Sequence, residues 1–334
     1  MRVAITGGSG VVGAAVLTHL VAAGHEVRAL ARSETSRRAV SDAGARPFSG
    51  DLLDPAALDG LVEGCERVFH VAGINQLCPG DVGGMWEVNV TGTRLVVEAC
   101  ARAGVGRLIH TSSAVAIGER KGEVGIESTP HRGWYLSEYE RTKHAGELVV
   151  LGAPSSLDVV VVNPSSVQGP GRATGTARIL LAVLRGRLPA VIDTDLSVID
   201  IDDCARGHLL AAERGRPGER YLLSGATLGM DEALELVADA TGARPRVWFM
   251  PPALLPALGL VTEAIFGLAG RHPPLCREMA RVLRFGHRYD GSKARAELGL
   301  AYTPVAETLA RTAAWFEEEG LLQGKQREKP GKSV

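Results

Sequence analysis

A doubly wound α/β fold, in which a parallel sheet is covered on both faces and a smaller C-terminal α/β domain is added, is what this 334-residue sequence predicts. Three observations lead there. Short, nearly all-apolar runs alternate with helical patterns, as expected where strands are buried on both faces and joined by right-handed crossovers. The chain opens on MRVAITGGSGVVGAAVLTHL, which reads as strand, glycine turn and helix. After Pro164 the alternation loosens into loops and isolated strand-like runs.

Taken in order, residues 2–6 form the first strand, residues 12–23 the first helix, and Gly24 ends that helix. In the turn between them Gly7 permits a bend too tight for a side chain. Gly10 lets the backbone approach a pyrophosphate, and Gly13 lets helix and strand pack closely, so that the free N–H groups of the first helical turn face an anion. Further strands are expected at 26–31, 46–49, 67–71, 107–112 and 158–162. Beyond Pro164, GPGRATGT is loop, 177–187 helical, 198–201 a strand that the main sheet takes back, and 204–213 a helix. Residues 220–224 are strand-like, 231–241 helical, 247–249 strand-like, and the remainder is mostly helical to about Glu319.

The expected partition is therefore a dinucleotide-binding Rossmann domain over 1–168 and about 198–215, and a substrate domain over 169–197 and about 216–319. Residues 320–334, ending QGKQREKPGKSV, carry almost no apolar side chains and read as a disordered tail.

Composition narrows the function classes. The formal charge of -1 offers no basic excess for nucleic acid, and 45% hydrophobic against 22% charged residues excludes a disordered acidic chain. Cys65, Cys78, Cys100, Cys204 and Cys276 are widely separated, with no C-x-x-C pair and no ligand-spaced histidines, so reduced, mostly buried thiols and no metal site are expected. With no export signal at the N-terminus, this points to the cytoplasm. The longest apolar stretch, 251–270, carries interior prolines and Glu263, which argues against a membrane-spanning helix, and 251–275 is expected to be helical. It reads as a helix that packs into the second domain, covers a pocket, or meets another subunit or a membrane surface. A homodimer is the assembly considered.

The chemistry is expected around SEYERTKHAGE. Tyr139 and Lys143 lie four apart in a helical segment and so share a face. A free phenol has a pKa of about 10, and bringing it to about 7 costs roughly 4 kcal/mol, which a close ammonium and a cationic oxidised nicotinamide can supply together. The same spacing also occurs by chance in many helices, and context distinguishes the two. Ser112 and Ser113 end the fifth strand, where parallel sheets of this kind place ligands, and Ser113 is suited to hydrogen-bond a reacting oxygen.

TGGSGVVG, HVAG at 70–73, TSSAVAIG at 111–118, Tyr139-Glu-Arg-Thr-Lys143 and NPSSVQGPG at 163–171 occur in the order and spacing of the extended short-chain dehydrogenase/reductase family. Over about three hundred residues the chain resembles this epimerase/dehydratase-type family, and within it dihydroflavonol-4-reductase-like and hopanoid-associated sugar epimerase-like proteins. The resemblance implies that Tyr139 is the acid/base, that Lys143 holds the nicotinamide ribose and lowers the tyrosine's pKa, and that Ser113 polarises the carbonyl. It also implies that Asp51 and Leu52 flank the adenine. The remaining cofactor contacts that it implies are Thr6, Val11, Val12, Val71, Ala72, Gly73, Thr111, Pro164, Ser165 and Val167, beside the three turn glycines.

Two departures narrow the reaction that the resemblance implies. Ala114 and Val115 stand where dehydratases of the family carry an acidic pair, and Leu196 stands about where nucleotide-sugar epimerases carry an arginine. A diphosphate entering an uncharged pocket would be penalised, which favours a less charged substrate.

Cofactor choice is read at the end of the second strand. Ala31-Arg32-Ser33 lacks the carboxylate that binds a ribose 2′-hydroxyl, and Arg32 suits a 2′-phosphate, so NADP(H) is preferred to NAD(H). The expected protein is an NADP(H)-dependent oxidoreductase that interconverts a small-molecule ketone or aldehyde and an alcohol on a moderately apolar substrate. The alternatives are an NAD(P)-dependent sugar epimerase with tightly bound cofactor and a non-catalytic cofactor-binding regulator.

Overall fold

The computed structural model describes residues 1–244, 247–268, 273 and 275–322. The expected tail falls mostly on 323–334, outside the described residues. The first half runs β1 (Arg2–Thr6), α1 (Val11–Ala22), β2 (Glu26–Ala31), α2 (Glu34–Asp42), β3 (Arg46–Ser49), α3 (Pro55–Val62), β4 (Arg67–His70), α4 (Val82–Trp86), a π-helical turn (Glu87–Gly92), α5 (Thr93–Ala103), β5 (Arg107–Thr111), β6 (Val124–Gly125) and α6 (Glu138–Leu151). The second half runs β7 (Asp158–Pro164), β8 (Ser166–Gln168), α7 (Ala177–Leu184), β9 (Ala190–Ile192), β10 (Asp195–Asp200), α8 (Ile201–Arg214), β11 (Arg220–Leu223), β12 (Ala226–Gly229), α9 (Met230–Thr241), β13 (Trp248–Met250), α10 (Leu255–Leu268), α11 (Arg277–Phe285), β14 (Arg288–Tyr289) and α12 (Val305–Glu318).

Seven strands pair in the order β11-β7-β5-β4-β1-β2-β3, all parallel. Their apolar runs are explained by burial on both faces. Val3, Ile5, Phe69, Ile109, Val160 and Val162 pack on one side with α1 and α8. Ala4, Val68, Leu108, Val159 and Val161 pack on the other with α3 and α5. Successive strand residues alternate between two cores, so no polar face is needed.

The late strand corrects the sequence expectation. Residues 198–201 do not return to the main sheet: β10 pairs with β8 and β12 in a separate three-stranded sheet. The seventh strand of the main sheet is β11, beside β7. The reason is the crossover: α8 packs against α1 and delivers the chain to a parallel strand after the helix, not before it. Tyr221, Leu222 and Leu223 are wholly buried, and the edge amide of Leu222 is satisfied by Glu127 Oε1 at 2.8 Å.

The cysteine expectation is also corrected. Cys65, Cys100 and Cys204 are free and buried, but Cys78 and Cys276 form a disulfide across a sequence separation of 198. Spacing along the chain carries no information about such a pair, because the fold alone brings the two residues together. The bridge also removes the argument from cysteine usage for a reducing compartment. Among the described residues no helix is long and apolar enough to cross a membrane.

Candidate active site

At the carboxyl edge of the sheet Thr6, His70 and His110 sit side by side in register on β1, β4 and β5. Thr6 Oγ1 meets His70 Nδ1 at 2.7 Å, and His70 Nε2 meets Thr93 Oγ1 at 2.9 Å. Burial holds the His70 pKa down at about 3, and it holds His208, whose Nε2 meets Thr111 Oγ1 at 2.9 Å, at about 4. These imidazoles are neutral spacers that tie strand ends to one another and to helices α5 and α8.

Over this edge lies the glycine turn. A Cβ on Gly7 (φ +75°) would stand 2.6 Å from Ala72 N, and one on Gly13 would stand 2.0 Å from Gly7 O. A Cβ on Gly10 would stand 3.3 Å from the same oxygen. The first two are closer than real Cβ atoms approach, so at those positions only glycine keeps the turn. Helix α1 has no side-chain cap and no acidic residue in its first turn, which leaves the N–H groups at Val11, Val12 and Gly13 directed at the space above Gly10. A bare helix N-terminus framed by glycines suits a pyrophosphate, so this chain's own geometry fits the nucleotide that the family uses.

The other predicted positions border the same edge. The Val71–Gly73 segment leaves β4, Ala72 N donates to Thr6 Oγ1 at 3.3 Å, and a Cβ on Gly73 would lie 3.5 Å from Lys143 Nζ. Asp51 caps its own turn through Leu53 N at 2.9 Å and meets the exposed Arg32 at 3.5 Å, while Leu52 is buried against Gly92. Pro164 ends β7, Ser165 N donates to Leu223 O at 3.0 Å, and Val167 is buried.

Helix α6 carries the expected pair. Ser137 caps it by accepting from Glu140 N at 3.0 Å, and Glu140 also accepts from Leu136 N at 2.7 Å and pairs with Arg132. Those two side chains are 1% and 2% exposed, so the helical turn that begins with Tyr139 is pinned by an ion pair out of water. Lys143 Nζ donates to Thr111 O at 2.8 Å, and its burial draws the ammonium pKa down to about 8.

Tyr139 behaves differently from the expectation for the protein by itself. Burial raises its pKa, and the opposing pulls come from a hydrogen bond with the Ser113 side chain and from the Arg172 guanidinium rather than from Lys143. Lys143 is engaged with the backbone instead. The structure therefore brings Ser113 to Tyr139 and sets Lys143 one turn away.

Sequence reasoning missed two residues. Arg172 is held by Val167 O and by Thr174 O at 3.3 Å in the loop after β8; its signal was being the single cation of GPGRATGT. Asn89 lies in the π-helical turn, accepts from Ile74 N at 2.7 Å and donates to Thr142 Oγ1 at 2.9 Å, which ties the 71–74 segment to α6. A buried asparagine at a π-turn leaves no periodic trace in sequence. An apolar cavity between α7, α9 and α12, with a volume of about 70 Å³, is too small for a substrate, and none of Ser113, Tyr139 or Lys143 lines it.

Residues 3–224 match the NAD dependent epimerase/dehydratase family. The chain is 33% identical to sterol demethylase protein B of Methylococcus capsulatus, over 96% of this chain and all of that one. It is 32% identical to a 2-alkyl-3-oxoalkanoate reductase of Stenotrophomonas maltophilia, over 94% and 99%. The crystal structure of gox2253 superposes with a TM-score of 0.84 at 32% identity, over 96% of this chain and 98% of that chain.

Proposed function

This chain belongs to the NAD dependent epimerase/dehydratase family and is an NAD(P)-dependent enzyme, and within that family we propose that it is an NADP(H)-dependent reductase. It interconverts a ketone or aldehyde and an alcohol on a moderately apolar small molecule. The observation that carries this reading is the glycine cradle that only a backbone-hugging ligand fills, beside strand ends where Lys143 Nζ is fastened to Thr111 O at 2.8 Å.

In this reading the turn of Gly7, Gly10 and Gly13 with the N–H groups at Val11 and Val12 holds the pyrophosphate, and Asp51 and Leu52 flank the adenine. Thr6, Val71, Ala72, Gly73, Thr111, Pro164, Ser165 and Val167 border the rest of the cofactor. When bound, the nicotinamide supplies or accepts the hydride. Ser113 donates to the carbonyl oxygen and orients it, and Tyr139 Oη delivers a proton to that oxygen or recovers it in the reverse direction. Lys143 keeps a buried ammonium within one turn of the phenol, and the hydrogen bond to Thr111 O fixes where that charge sits. Arg172 is the cation that favours the phenolate.

NADP(H) preference is supported by Arg32, whose side chain is 81% exposed and among the described residues pairs only with Asp51, at 3.5 Å. A pair that open contributes little, which leaves the guanidinium for a phosphate, where a charge-assisted contact contributes roughly 1.5–3 kcal/mol. Apolar substrate character is supported by Ala114 and Leu196 at positions where charge would serve dehydration or a sugar diphosphate. The alkyl ketoacid named for the Stenotrophomonas reductase is of the same broad kind.

The test is NADPH absorbance with a panel of alkyl and cyclic ketones. Stoichiometric loss of NADPH with alcohol formation is expected. Conversion of a sugar nucleotide with no net change in NADPH would instead show an epimerase.

A further inference from the structure

Helix α10 is apolar on nearly every side: the buried Leu255 and Gly259 face the protein, and apolar residues face away from it as well. Its two polar residues are tied to the neighbouring chain: at the rim of the contact Glu263 accepts from Arg277 N at 2.9 Å and pairs with the exposed Arg277 guanidinium, and Thr262 Oγ1 hydrogen-bonds to Leu275 O. The outward residues are apolar, with Leu258 38% exposed, Leu260 52%, Val261 51%, Ile265 59% and Leu268 92%. No charged side chain interrupts this face. Just before it along the chain, Trp248 on β13 is also exposed.

Helix α11 packs against α10 so closely that a Cβ on Gly259 would be 3.2 Å from Ala280 Cβ. On α11, Arg277, Arg281 and Arg284 recur four and three residues apart and are all exposed, which makes one stripe. The Arg277–Glu263 pair places that stripe along the edge of α10. Among the described residues neither Arg281 nor Arg284 has a carboxylate partner within salt-bridge distance.

We propose that the apolar face of α10, flanked by the arginine stripe of α11, docks on the surface of an anionic lipid bilayer. The 14 residues of α10 extend about 21 Å, short of the ~30 Å hydrocarbon core, so the helix lies in the interface and does not span it. Apolar side chains enter the acyl boundary and arginines meet anionic headgroups. The charge pattern decides against the other occupants. The C-terminal QGKQREKPGKSV is polar and cannot cover an apolar face. A second copy pairing antiparallel along α10 would set two arginine stripes against each other, which like-charge repulsion opposes. Docking of this kind is independent of which carbonyl the enzyme reduces.

The experiment is co-sedimentation of the full chain with vesicles of phosphatidylcholine alone and of phosphatidylcholine doped with phosphatidylglycerol, at about 0.15 M salt, where the Debye length is ~8 Å. Wild type is expected to pellet with the anionic vesicles, weakly with neutral ones, and less as salt rises. Val261→Glu with Ile265→Glu should abolish pelleting, and Arg281→Glu with Arg284→Glu should weaken it by at least about fivefold per arginine. Both double variants alter exposed positions, so circular dichroism melting and NADPH binding should match wild type and show that the fold is intact. Sedimentation with neither vesicle, or undiminished binding by the folded Val261→Glu, Ile265→Glu variant, overturns the proposal. So does a wild-type dimer that this variant converts to monomer without any vesicle binding, since a second copy would then be the occupant.

Discussion

The ammonium of Lys143 and the carbonyl oxygen of Thr111 are 2.8 Å apart, so the cation one turn from Tyr139 is fastened to the last residue of β5. The Ser113 hydroxyl beside the phenol draws the Tyr139 pKa down against burial. Tyr139→Phe should lower kcat by about 10²–10⁴-fold while NADPH affinity stays within a few-fold, because the hydroxyl moves the proton and the ring only packs. Stopped-flow turnover and fluorescence titration check this, and unchanged turnover would end the proposed role.

Arg172 pulls the Tyr139 pKa down against burial. Arg172→Gln should therefore move the tyrosine-dependent limb of the kcat/KM pH profile to higher pH, and Arg172→Lys should restore most of the original position. A profile that does not move in Arg172→Gln would assign this residue to loop structure alone.

Arg32→Asp removes a cation and adds an acceptor for a 2′-hydroxyl at the end of β2. NADPH binding should weaken by about ten- to a hundredfold and NADH binding should improve. Titration of wild type that already favours NADH would refute the cofactor assignment.

The buried histidines set a limit on acid stability. His70 and His208 titrate at about 3 and about 4 in the folded protein, below the ordinary 6.5 of the unfolded chain. The unfolded state therefore takes up more protons as pH falls, and stability present above pH 6.5 is lost between there and about pH 4 for His208 and about pH 3 for His70. Each tenfold difference in proton affinity between the two states corresponds to about 1.4 kcal/mol, so the combined loss is several kcal/mol, comparable with the ~5–15 kcal/mol that holds a domain folded. His208→Asn should unfold more easily at neutral pH yet show a shallower loss of stability from pH 6 to 4, measured by urea titration. An equal slope would show that His208 titrates normally.

The disulfide fastens the loop at Cys78 to the N-cap of α11, and Glu278 accepts from both Cys78 N, at 2.7 Å, and Glu138 N. Reduction, or Cys276→Ser, should destabilise the fold by on the order of 2–5 kcal/mol and raise amide exchange around residues 74–81 and 276–285 before other regions. Exchange that is uniform across the chain would show that the bridge does not hold these segments together.

The first six strands of the main sheet, the glycine turn and the Tyr139–Lys143 face were legible because each depends on neighbours within one turn or one strand. A 3.6-residue or two-residue period records which side of an element is buried, and glycine at 7, 10 and 13 records where a side chain would clash. What lay beyond reach depends on segments that meet only in the folded chain. The place of β11 beside β7, the Cys78–Cys276 bond, and the approach of Arg172 to Tyr139 were all decided that way. Helix α10 shows the boundary between the two. Its composition marked it as apolar, but a helix that is apolar on most sides has no weak face in sequence, and only its contacts with Arg277 and Ala280 determined which residues turn outward.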